Sequence, residues 1–68
     1  MTEQEYIHFL EIELKKKYAI VKIVEYQWRY TVHFGQTEFV SFANLSKSTI
    51  KPLLAEGLLP LTIKNLLK

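Results

Sequence analysis

Tyr26-Gln27-Trp28-Arg29-Tyr30-Thr31-Val32-His33-Phe34-Gly35-Gln36 is the stretch on which the reading of this chain turns. From Tyr26 to Phe34 every second residue is aromatic or β-branched and apolar. A period of two predicts a strand with Tyr26, Trp28, Tyr30, Val32 and Phe34 on a buried face and Gln27, Arg29, Thr31 and His33 on the other. Gly35-Gln36 follows with glycine first, as a type II′ hairpin prefers, and predicts a partner strand over Thr37–Phe42. In that register Phe34 lies opposite Thr37, Val32 opposite Phe39 and Tyr30 opposite Ser41, while His33 faces Glu38.

Upstream, Ala19–Glu25 is also strand-like, but Val21 and Ile23 alternate with Ile20 and Val24, so both faces are apolar. A strand covered on both sides suits the centre of a sheet. The link around Glu25-Tyr26-Gln27 has no Gly, Pro, Asn or Asp, and one long bent strand competes there with two separate ones. The sheet is therefore expected to have two or three antiparallel strands.

The chain opens with Thr2 and, three positions on, Glu5, the pattern of a capping box. Glu3 and Glu5 at the start and Lys15, Lys16 and Lys17 at the end complement the helix dipole. Tyr6, Ile7, Leu10 and Leu14 recur at helical spacing, which predicts a helix over 3–17. Phe9 and Ile12 flank that face and either widen the core contact or mark a partner surface.

Beyond Phe42, Asn44, Ser46, Ser48 and Thr49 make a polar stretch rich in possible helix caps. Pro52 is comfortable only in a first turn, which favours a cap at Ser48 or Thr49 and a short helix ending at Gly57. Pro60 can open a last helical segment with Ile63, Leu66 and Leu67 on its apolar side. The expected architecture is α+β, a small two-layer single domain over 1–68 in the order α-β-β-β-α.

Composition narrows the function. The 68 residues contain no cysteine, which removes disulfides, thiol catalysis and cysteine zinc sites and suits a reducing compartment, with the cytoplasm as the default. No apolar run is long enough for a transmembrane helix, and no basic region followed by an apolar stretch opens the chain as a signal peptide would, so no membrane role is expected. Residues 1–42 carry five Lys/Arg against six Glu, whereas residues 43–68 carry four Lys against Glu56 alone. The basic character thus collects in the last third.

Catalysis fails on inventory. His8 and Glu11, one helical turn apart, are the only local metal-like pair; Gly35 and Gly57 are the only glycines, so no phosphate loop exists; and Ser41 and Ser46 have no placed base. No enzymatic activity, cofactor or metal is expected. The rings of Tyr26, Trp28, Tyr30 and Phe34 could form a stacking platform for single strands, but a small domain needs such rings in its core, and burial beneath the first helix is the favoured reading.

Two resemblances bear on nucleic acid. Leu45-Ser46-Lys47-Ser48-Thr49-Ile50, with Leu53, Leu54 and Glu56-Gly57-Leu58-Leu59-Pro60, looks like the turn and recognition helix of excisionase-like and MerR-type helix-turn-helix proteins, which implies polar residues facing a major groove. The order helix, three strands, helix resembles the double-stranded-RNA-binding domain, with Ser46, Lys47, Lys51 and Ala55 at the place of its basic second-helix start. For a nucleic-acid partner the candidate contacts are Arg29, Lys47, Ser48, Lys51 and Lys64.

The last constellation is an excess of leucine. Leu53, Leu54, Leu58, Leu59, Leu61, Ile63, Leu66 and Leu67 crowd the C-terminal segment, and Leu61 would point away from Ile63, Leu66 and Leu67. Leftover apolar surface on a small domain usually meets another chain. Leu58, Leu59, Leu61, Ile63, Leu66 and Leu67 are therefore candidate interface residues, unless the bend at Gly57–Pro60 folds both short helices onto the core. The leading expectation is a small binding protein acting through a protein surface, as a homodimer or as an adaptor, inhibitor or regulatory subunit of the kind phages and mobile elements carry. The alternative is a regulatory DNA- or RNA-binding domain using the basic C-terminal segment.

Overall fold

The computed structural model describes residues 1–68. The capping box is formed: Thr2 Oγ1 accepts from the Glu5 amide at 3.1 Å, and the Glu5 carboxylate accepts from the Thr2 amide at 2.9 Å. Helix α1 then runs over Glu3–Lys15. It ends two residues before the expected Lys17, because the amides of Lys17 and Tyr18 both turn back to the Leu14 carbonyl. The exit lets the Tyr18 ring pack on Phe34, with centroids 4.6 Å apart.

Three strands follow, β1 (Ile20–Glu25), β2 (Arg29–Gly35) and β3 (Ser41–Ser46), in an antiparallel meander of order β1-β2-β3. The question of one bent strand or two is settled at Tyr26, whose amide donates to the Arg29 carbonyl at 2.8 Å and closes a hairpin around Gln27-Trp28. The central strand is therefore β2, and the expectation that Ala19–Glu25 is central is overturned. Its two apolar faces have another cause: Val21 lies in the core, while Ile20 and Val24 lie on the far side of the sheet.

The β2–β3 register also differs from the expected one. Phe34 pairs with Ser41, Val32 with Ala43 and Tyr30 with Leu45, and His33 pairs with Phe42 instead of facing Glu38. The shift is four residues, an even number, so the inward set of β2 is preserved while the partners change. Residues 36–40 form a longer loop in place of the two-residue turn. Gly35 is required there by close approach, since a Cβ would lie 1.8 Å from the Glu38 carbonyl oxygen. The benefit of this register is apparent in Leu45, which is 2% exposed, whereas Phe39, the residue expected opposite Val32, is 50% exposed.

Helix α2 (Lys47–Ile50) runs into a 3-10 turn over Lys51–Leu53 that holds Pro52 in its first turn. Its cap is Ser46, not Ser48 or Thr49: Ser46 Oγ accepts from the Thr49 amide at 3.2 Å. Gly57 takes φ 65, the left-handed conformation expected after a helix. Pro60 then precedes helix α3 (Leu61–Leu66). The core joins Tyr6, Leu10 and Leu14 of α1 to Val21, Tyr30, Val32, Phe34 and Leu45 of the sheet, with Ile50 and Ile63 closing it from the C-terminal segment. All helices thus serve one face of the sheet, and the α-β-β-β-α order stands.

Candidate interaction surfaces

The C-terminal leucines divide. Ile63 is fully buried, and Leu59, Leu66 and Leu67 pack partly buried against the core. Only Leu58 and Leu61 stand open, at 48% and 72% exposure. The segment is fastened by groups from the N-terminal half: the Tyr6 hydroxyl donates to the Leu58 carbonyl, the Tyr18 hydroxyl to the Leu66 carbonyl at 2.8 Å, and the terminal amine of Met1 to the Leu54 carbonyl at 3.2 Å. Burial raises the Tyr6 phenol above its ordinary pKa. As candidate contacts, Leu59, Ile63, Leu66 and Leu67 are thus used largely within the molecule, and the bend at Gly57–Pro60 folds the segment inward.

The basic candidates are spread over β2, α2, the turn after it and α3. Lys47 Nζ bonds the Glu25 carboxylate at 2.5 Å and lies 5.3 Å from the centroid of the Tyr30 ring. Tyr30 in turn donates to Glu3 at 2.5 Å. Desolvation, then the Glu3 hydrogen bond, then the charges of Glu3 and Glu25 push the Tyr30 phenol well above its ordinary range. Glu3, Tyr30, Lys47 and Glu25 therefore form a chain that ties α1, the sheet and α2 together. Ser48, Lys51 and Lys64 are exposed on α2, on the turn after it and on α3. A recognition helix of the helix-turn-helix kind is not built: Ser41–Ser46 is a strand where that unit needs a helix, and α2 is four residues long. Of the double-stranded-RNA-binding resemblance the order of elements is present and Lys47 opens α2, but that helix is four residues long.

A broad uncovered surface holds only one of the candidate contacts, Arg29. No helix lies on the sheet face opposite α1. Register assigns to it Ile20, Lys22 and Val24 of β1, Arg29, Thr31 and His33 of β2, and Phe42 and Asn44 of β3. Phe42 is 67% exposed, and the preceding loop adds Phe39 at 50% and Val40 at 69%. The His33 ring lies between the two phenylalanines, with centroids 6.3 Å from Phe39 and 6.2 Å from Phe42. At the other end the Arg29 guanidinium stacks on the Tyr26 ring at 4.4 Å. In the middle Thr31 donates to the Asn44 side chain at 2.9 Å, which leaves Thr31 only 6% exposed.

Tyr26 and Trp28, expected inside, are outside. Tyr26 pairs across the hairpin with Arg29 and so belongs to the uncovered face, and Trp28 sits in the turn at 76% exposure. Two turn residues broke the alternation that joined them to Tyr30. The strands contribute Lys22 and Arg29 to this face and no carboxylate, whereas α1 carries Glu3, Glu5, Glu11 and Glu13 on the opposite side. The signal that could have exposed this surface was the two-sided apolar character of Ile20–Val24, which fits an open apolar face as well as a central strand.

No group of three or more His, Asp or Glu side chains converges on a metal position, no concave pocket is present, and no helix is long and apolar enough to cross a membrane. No family model matches the chain, and comparison with curated proteins and with solved structures finds no match.

Proposed function

We propose that this chain is a non-enzymatic binding protein whose working surface is the uncovered sheet face, and that its partner is another protein. The observation that carries the reading is the continuous exposure of Phe39, Val40 and Phe42 around His33, on a face that nothing in the molecule covers. Large apolar side chains clustered on an open surface lose hydration cost when a partner covers them, at roughly 25 cal/mol per Å². Lys22, paired with His33, borders the cluster, and Arg29 lies at the far end of the same face; both favour a partner with acidic groups at matching positions. The cysteine-free composition suits residence in the cytoplasm.

A second reading rests on the same face. Arg29 stacked on Tyr26, with Lys22 on the same face and no strand carboxylate there, is chemistry that also suits a single-stranded nucleic acid, with Trp28 at the rim as a stacking group. The C-terminal lysines lie on other elements, with Lys47 paired to Glu25, and support it less.

Capture from lysate, with and without nuclease, separates the two. The wild-type chain is expected to retain protein after nuclease treatment, and a double variant, Phe39→Ser with Val40→Ser, to lose it. Retained material that vanishes with nuclease, weakens steeply with salt and is lost in a Lys22→Glu, Arg29→Glu variant establishes the second reading instead. Equal retention by the wild type and the Phe39→Ser, Val40→Ser variant refutes the assignment of this face.

A further inference from the structure

An edge strand exposes a row of unpaired backbone donors and acceptors, and stable monomers usually blunt it with charge, proline or a bulge. The two edges of this sheet are treated differently. β1 carries Lys22 at its middle and Glu25 at its end. β3, Ser41-Phe42-Ala43-Asn44-Leu45-Ser46, has no charged residue, no proline and no glycine.

The direction of the free groups follows from one bond. The Lys47 amide donates to the Trp28 carbonyl at 3.0 Å, which extends the β2–β3 register by one pair and marks Lys47–Trp28 as a hydrogen-bonded pair. Hydrogen-bonded and non-bonded pairs alternate along an antiparallel ladder, so Leu45, Ala43 and Ser41 face β2 with their backbone groups. Phe42 and Asn44 therefore turn their N–H and C=O outward. Neither receives a backbone bond from a turn, loop or cap, and both side chains are exposed.

We infer that β3 is a self-association edge: two copies pair their Ser41–Ser46 strands antiparallel about a two-fold axis normal to the sheet. The occupant is a second copy because the strand is compatible with itself. Opposed residues in an antiparallel pair lie on the same face, so a two-fold must set outward-facing residues against outward-facing ones. The registers that pair the greatest length of β3 set Asn44 against the partner's Asn44, or Phe42 against the partner's Asn44 in both directions. In each arrangement the N–H and C=O groups bond reciprocally and no like charges meet, which is the usual obstacle to pairing identical strands. The two three-stranded sheets become one continuous sheet, and the uncovered faces lie side by side on the same side of it. This inference rests on the edge of β3 and stands apart from the assignment of the face.

The test is molar mass by sedimentation equilibrium across a concentration series, with far-UV circular dichroism as a check on folding. The wild-type chain is expected to reach twice the 8.0 kDa chain mass. Asn44→Pro removes an outward N–H without removing a β2 bond, and Asn44→Lys sets two ammonium groups directly opposite in one register and diagonally adjacent in the other; both are expected to give the single-chain mass with an unchanged spectrum. Asn44→Ala loses the same Thr31 contact but keeps the N–H, and is expected to retain the doubled mass. Should the proline variant unfold, the lysine variant decides. A wild-type chain of single mass at every concentration overturns the inference, and so does a doubled mass that survives both Asn44→Pro and Asn44→Lys. The Phe39→Ser, Val40→Ser variant keeps β3 intact and is expected to keep the doubled mass, so a failure of the face assignment and a failure of the edge inference are read separately.

Discussion

Tyr30→Phe deletes one oxygen from the chain of groups that joins α1 to the sheet. The wild-type hydroxyl donates to the Glu3 carboxylate at 2.5 Å from a side chain that is 4% exposed. A hydrogen bond to a charged acceptor contributes about 1.5–3 kcal/mol. Because Glu3 is half-buried, water can reach the vacated acceptor and the penalty for an orphaned group is small. The expected loss near neutral pH is therefore about 1–2 kcal/mol.

The pH dependence gives a second, independent reading of the same oxygen. Desolvation, assisted by Glu3 and Glu25, raises the folded-state pKa of Tyr30 above that of the unfolded chain. The folded protein thus holds a proton that the unfolded chain releases from about pH 10 upward. That contribution to stability is whole below the unfolded-state value. It declines as pH rises beyond it, by up to about 1.4 kcal/mol per pH unit for each such phenol, until the folded phenol itself ionises. Tyr6 is shifted in the same direction and remains in the variant. The stability gap between wild type and Tyr30→Phe should therefore narrow on going from about pH 7 to about pH 11. Urea unfolding followed by far-UV circular dichroism is the assay, since the single tryptophan, Trp28, is 76% exposed and reports folding poorly. A loss below about 0.5 kcal/mol at neutral pH, or a gap that stays constant into the alkaline range, would refute the reasoning.

Trp28→Ala separates the expected fold from the observed one: an inward indole would cost about 3–5 kcal/mol on truncation, whereas the exposed turn position should cost within about 0.5 kcal/mol in the same urea assay. For the C-terminal segment, Ile63→Ala removes a fully buried side chain and should cost about 2–5 kcal/mol. Leu61→Ala, at a side chain 72% exposed, should leave the unfolding midpoint nearly unchanged. Equal effects at the two positions would mean that α3 is not docked by its Ile63 face.

The three short-range signals in the sequence were sound because each is local. A threonine and a glutamate three apart can satisfy each other's amides at one helix start, and the Thr2 and Glu5 pair does so. Alternation from Tyr30 to Phe34 survives because those residues share one uninterrupted strand, and Gly57 takes its positive φ for reasons confined to one residue. These local features, with the apolar spacing of Tyr6, Leu10 and Leu14, were enough to place α1, β2 and much of the core, whereas β3, expected over Thr37–Phe42, lies at Ser41–Ser46.

What tertiary structure alone decided was where the alternation stops, which strand lies in the middle, and which surface remains uncovered. Tyr26 and Trp28 obey the same period as Tyr30, yet a hairpin closed by the Tyr26 amide and the Arg29 carbonyl takes both out of the core. The register of β3 is set by the burial of Leu45 and by the close approach of Glu38 to Gly35, neither of which has a counterpart along the chain. The leucine-rich tail is absorbed because Tyr6 and Tyr18 hold its carbonyls from more than forty residues away in sequence. An apolar residue carries the same chemistry whether it is covered or open, and only the packing of distant elements determines which of the two it becomes.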